Sequence, residues 1–196
     1  MFKLKNLLQN ENINVVEEMG DIKVLEYIND LSVTPASAVT SYFSNKMNIR
    51  KRQVLININD SEYTVSAGSM QWTLGNVDVT SDVKGVGDFL GKALKGAVTK
   101  EAAVKPKYKG KGLLMLEPTY RHILLEDLAD WQGGMVLDDG LFLACESSVN
   151  QDVVMRSNIS SAIFGKEGLF NLKLSGNGIV ALESYVPRDE LIEISL

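Results

Sequence analysis

Between Met70 and Val98 the chain changes its hydrophobic period from two to 3.6, and this switch limits the available folds more than any other feature. Met70, Trp72, Leu74, Val77 and Val79 alternate with polar residues, and Gly75-Asn76 interrupts them with a turn or bulge signal, which predicts a strand pair. From Val86 onward, Val86, Phe89, Leu90, Ala93, Leu94, Ala97 and Val98 fall on one face of a 3.6-residue period, with Asp88, Lys92 and Lys95 opposite. The spacing predicts an amphipathic helix over about 84–98, inserted into a β protein.

That helix carries Gly87, Gly91 and Gly96, each costing about 1 kcal/mol relative to alanine, so its apolar face must be covered. Its own sheet, a second copy or protein partner, and an anionic membrane surface are the three covers that fit, the last favoured by Lys84, Lys92, Lys95 and Lys100. Val86, Phe89, Leu90, Lys92, Ala93, Leu94, Lys95 and Ala97 form the candidate interaction surface.

The 196 residues suit one all-β domain, and 45% apolar residues suffice for a substantial core. A formal net charge of −5 opposes a phosphate-driven grip on nucleic acid. The single Cys145 cannot form an intramolecular disulfide, and the apolar start of the chain breaks at Gln9, too early for a signal core, so a cytoplasmic protein is expected. No window approaches the roughly 20 apolar residues of a membrane span.

Along the chain, residues 22–40 predict two short strands broken by Asn29-Asp30 and Pro35, and the segment 41–53, ending in Arg50-Lys51-Arg52, predicts a solvated loop or an anion contact. Val54–Asp60 predicts a strand turning at Asn59-Asp60 into a return strand over 62–66. Lys100–Lys111 predicts an exposed connection, Leu113–Leu116 a buried strand, and Tyr120–Leu128 a segment of mixed β-prone and acidic residues. Asp138-Asp139-Gly140 predicts a hairpin turn before the run Leu141–Cys145. Strands flank Ser175–Gly178, and a terminal strand is expected over 188–196. The similarity of Met135–Val154 to the central stretch, with a weaker copy at Tyr27–Thr40, predicts three related units at about 22–53, 54–112 and 113–196.

Chemistry-bearing residues are sparse. With His122 as the one histidine, a His-rich metal site has no material, no Ser-His-Asp set is expected, and a lone acid or base is what His122 could supply. Cys145 lies in an apolar run and reads as a buried, inert thiol. Glu126, Asp127, Asp130, Asp138 and Asp139 could pair for proton transfer or hold a cation, but turn and surface chemistry accounts for them without an alternating-acid calcium loop. Gly85, Gly87 and Gly91 do not fit a dinucleotide fingerprint because Leu90 stands where glycine is needed, and no cofactor is expected. Trp72, Trp131, Phe89 and Phe142 read as core.

Ala67-Gly68-Ser69-Met70, Gly75-Asn76-Val77, the Gly85–Gly96 run, Gly140–Ala144, Gly168-Leu169-Phe170 and Leu174–Gly178, in that order, resemble the mitochondrial-biogenesis AIM family from about Ile22 onward. The resemblance implies a double-layered antiparallel β structure of the double-stranded β-helix type, similar to the tryptophan RNA-binding attenuation protein. The residue pattern alone admits a jelly roll equally. Mitochondrial relatives are linked to inner-membrane organisation, and the resemblance brings no catalytic set. The expectation is an all-β, non-enzymatic scaffold or binding protein that forms a homo-oligomer. A peripheral membrane protein using the 84–98 helix is the first rival, and small-molecule or RNA binding by analogy with the fold is the second.

Overall fold

In the computed structural model the described residues are 4–80, 105–155 and 170–194. They form eleven antiparallel strands and one α-helix: β1 (Ile13–Met19), β2 (Ile22–Tyr27), α1 (Ala38–Lys46), β3 (Arg52–Val65), β4 (Met70–Thr80), β5 (Lys107–Leu116), β6 (His122–Asp127), β7 (Met135–Leu137), β8 (Phe142–Glu146), β9 (Val149–Met155), β10 (Phe170–Gly176) and β11 (Ile179–Ser184). The helix expected over 84–98 lies outside the described residues.

β3 organises the larger sheet. Leu55 and Ile56 pair with β2 and β5, while Tyr63 and Thr64 pair with β8 and β5, so β2 and β8 share the edge opposite β5. The order then runs β1-β2-β3-β8-β11-β6, with β4 on the far side of β5. β6 comes round beside β1, and Arg188 bridges the seam by donating to Glu17 at 3.0 Å, Glu126 at 2.7 Å and the Leu125 carbonyl at 2.7 Å. The sheet is a nearly closed barrel, which removes most of its exposed edge.

The alternation of side chains sorts them into three apolar clusters. Ile22, Val24, Val54, Ile56, Leu114 and Ile123 fill the barrel. Leu124, Phe142, Cys145, Val180, Leu172 and Leu174 pack between the outer face of β6, β8 and β11 and a second sheet ordered β7-β10-β9. Leu7, Leu25, Leu55 and Met115, with Trp72 against them, cover the outside of β2, β3 and β5. Strands such as β6 and β8 are apolar on both faces because both faces are covered, which is why their sequence shows runs in place of alternation.

Several expected turns are not turns. Asn59-Asp60 does not divide two strands, because β3 is continuous for 14 residues and Asp60, at φ 56°, is a bulge against β5. Gly75-Asn76 likewise lies inside the single strand β4, where Gly75 at φ 108° faces Gly112 across the ladder. Lys107–Lys111 is strand, not connection, and Asp138–Gly140 turns the chain between the two sheets without forming a hairpin. Of the two strands expected in 22–40 only β2 forms, and the residues after Pro187 make a 3-10 turn over Arg188–Glu190, with no terminal strand at 191–194.

Candidate functional site

The segment expected to be a solvated loop instead holds α1 and the most connected polar cluster of the described residues. α1 is a poor helix by propensity, since Val39, Thr40, Ser41, Ser44 and Asn45 all favour other conformations. It is held at its end: Asn48 takes a left-handed conformation (φ 63°), Ile49 N donates to the Ser44 carbonyl at 2.9 Å and Asn48 N to that of Asn45 at 3.1 Å. This paired closure satisfies two terminal carbonyls.

Arg52 then ties that cap to the barrel. Its Nη2 donates to Asn48 Oδ1 at 2.9 Å, while Nε and Nη2 reach Glu26 Oε2 at 2.9 and 2.6 Å. Arg50 Nη1 reaches the other oxygen of Glu26 at 2.6 Å. The Arg52 and Glu26 side chains are only 5% and 9% exposed, so this pair is a buried interaction. The sequence reading of Arg50-Lys51-Arg52 as a solvated cluster therefore fails at Arg52, because β3 points it inward opposite Glu26 of β2.

Beside the pair, Asp30 accepts from Lys51 Nζ at 2.9 Å, from the Ser32 amide at 3.0 Å, and from the Tyr120 hydroxyl. Burial pushes its carboxyl up, but the hydrogen bonds from Ser32, Tyr120 and Lys51 outweigh it and hold Asp30 well below the usual carboxylate range. A depressed folded value means Asp30 adds stability that is fully present above its unfolded pKa of about 3.9 and is lost as pH falls towards the folded value. The stability difference between the native protein and Asp30→Asn should accordingly stay level from pH 7 to about 5 and shrink below about 4. Denaturant midpoints across that range check it, and a constant gap down to pH 3 would contradict it.

Between α1 and residues 49–51 lies an open cleft of about 330 Å³. Ser41, Ser44 and Asn45 line one wall and Asp30, Arg50 and Lys51 the other, and the buried Nε of Arg50 has no hydrogen-bond partner. α1 is thus oriented against its own chemistry. Its hydroxyl-bearing face looks inward, while Val39, Tyr42, Phe43 and Met47 are 67%, 58%, 62% and 76% exposed, and no residue of the helix is buried. Leu31, 78% exposed, lies in the loop just before it.

The residues singled out from sequence are elsewhere. Val86, Phe89, Leu90, Lys92, Ala93, Leu94, Lys95 and Ala97 lie outside the described residues. Cys145 is fully buried between the sheets, as expected, and burial pushes its thiol up to about 12. His122 begins β6; burial, then the nearby Arg52 cation, lower its pKa. Glu126 accepts from Arg188 and from Trp131 Nε1, and Asp127 caps the 3-10 turn 128–130 through the Ala129 amide at 2.9 Å. Among the described residues no group of His, Cys and carboxylates could hold a metal. Phe142 is core and Trp72 is half-buried against the outer cluster, but Trp131, 45% exposed, is not the core residue expected. No helix among the described residues is long and apolar enough to cross a membrane.

The sequence missed α1 because its signal is inverted. The positions 39, 42, 43 and 47 do carry helical spacing, but serines, an asparagine and Pro35 around them read as loop chemistry.

A protein from Streptococcus pyogenes solved by X-ray crystallography is similar in fold, with 24% sequence identity and a TM-score of 0.52. The match covers 71% of this chain and 61% of that one, so this chain spans less than two thirds of its neighbour's length. Comparison with curated proteins gives no match. The family model of mitochondrial biogenesis AIM24 covers residues 46–196, which take in the barrel from β3 onward and leave almost all of α1 outside. On that match, over most of its length, the chain belongs to the mitochondrial biogenesis AIM24 family.

Proposed function

We propose that this protein is a non-enzymatic docking scaffold, with the barrel as a rigid support and the outer face of α1 as its contact surface. The observation that carries this reading is the inverted helix, which turns Val39, Tyr42, Phe43 and Met47 to solvent and keeps its hydroxyls for the protein side. Burying each large apolar side chain is worth about 1.5–3 kcal/mol, so a helix that served only the fold would turn this face inward. Contiguous exposed apolar surface of this kind marks contact sites on folded proteins. The sealed thiol of Cys145 supports a binding role over a chemical one.

The test is thermal unfolding of Phe43→Asp combined with Met47→Asp. A contact surface reserved for a partner predicts an unfolding midpoint within about 2 °C of the native protein, since neither side chain supports the core. A fall of about 8 °C or more would mean that the face packs against the chain itself and would overturn the reading.

A further inference from the structure

Resting on that docking role, we infer that the partner of α1 is the surface of an anionic phospholipid bilayer. The first argument is charge. Residues 31–59 contain no carboxylate and carry Lys46, Arg50, Lys51 and Arg52, in a chain whose formal net charge is −5; Lys51 is paired with Asp30 and Arg52 is buried on Glu26, which leaves Lys46 and the part-exposed Arg50 at the surface. Lys46 stands at the end of α1 with its ammonium 5.2 Å from the Tyr42 ring, and no carboxylate among the described residues pairs with it. Arg50 is shared with Glu26 but stays 34% exposed and lines the cleft.

The second argument is geometry. The exposed residues Val39, Phe43 and Met47 project from one side of a short helix, the cationic Lys46 flanks them, and the serine-lined cleft opens behind. An interfacial helix needs this arrangement: apolar side chains to enter the acyl boundary, and cations with hydroxyl donors at the depth of the phosphates. A second copy of the chain fits less well, because residues 31–59 offer no carboxylate to pair with Lys46 across a two-fold contact of α1 with α1.

The full chain is sedimented with phosphatidylcholine vesicles, with and without phosphatidylglycerol, alongside light scattering of the protein alone. Binding to the phosphatidylglycerol vesicles that weakens with salt is expected. Phe43→Asp and Lys46→Glu should each lower partitioning about tenfold or more. Equal binding to neutral vesicles or indifference to Lys46→Glu would overturn the inference. So would full competition by inorganic phosphate in a Phe43-independent manner, which would make the cleft a small-anion site. Absence of vesicle binding with self-association that Phe43→Asp abolishes would overturn the lipid partner and leave the docking role standing. Absence of both would remove the lipid partner, and the docking role would then stand or fall on the unfolding test of the double variant.

Discussion

Glu26→Ala is expected to destabilise this protein by about 3–5 kcal/mol, one of the largest effects any single polar substitution should have here. The carboxylate is 9% exposed and receives two charge-assisted hydrogen bonds, one from Arg52 Nε and one from Arg50 Nη1, with Arg52 Nη2 a further 2.6 Å ion-pair contact. Without it the Arg52 guanidinium, 5% exposed, would remain charged and buried with only carbonyl and amide acceptors at Asn48, Arg50 and Arg121. Arg50, 34% exposed, can turn to water and adds less. Because the damage comes from the stranded charge, Glu26→Leu with Arg52→Leu should cost less than Glu26→Ala alone, despite removing more. Urea unfolding of the three proteins decides this. The rival outcome, a double variant at least as damaged as Glu26→Ala, would mean that the pair acts by packing and not by charge.

Gly112→Val is expected to cost about 3 kcal/mol and to loosen β4 from β5. A β-carbon at position 112 would sit 2.1 Å from the Leu74 carbonyl oxygen and 2.9 Å from Val77 Cγ2. Backbone stands in the way, so relief requires the strand to shift. The neighbouring Gly110 is subject to the same constraint from the Asn76 carbonyl, at 2.2 Å, and also holds φ 132°. Hydrogen exchange should show the amides of 70–80 opening faster in Gly112→Val, with the barrel strands β2 and β8 little changed. Uniform acceleration across all strands would instead make the β4-β5 contact part of the global folding unit.

These two sites also show where sequence reading stops. The all-β class was legible because Leu113–Leu116, Leu141–Cys145 and the strands around Ser175–Gly178 carry apolar runs that only covered sheets can use. Gly75, Gly110 and Gly112 were visible as punctuation, but their purpose is a close crossing of two strands distant in sequence, and local chemistry cannot distinguish that from a turn. Asp60 is the same case, a left-handed residue used as a bulge in a strand already committed by its pairing. Arg52 looked like one of three surface cations, and only the register that sets it opposite Glu26 buries it. Of the candidate site, the basic cluster was noticed and given an anion contact as its alternative, whereas α1 was hidden by residues that favour loops.

The chain's outward apolar helix is the core of the account, and hydrogen exchange reads it directly. Amides of residues 38–46 are compared in the free protein and in the presence of phosphatidylglycerol-containing vesicles. Slowed exchange concentrated in 38–46, with β2 and β8 unaltered and the effect absent in Phe43→Asp, is the result the account predicts. Unchanged exchange at 38–46 while another region becomes protected would contradict it and place the contact surface elsewhere on the molecule.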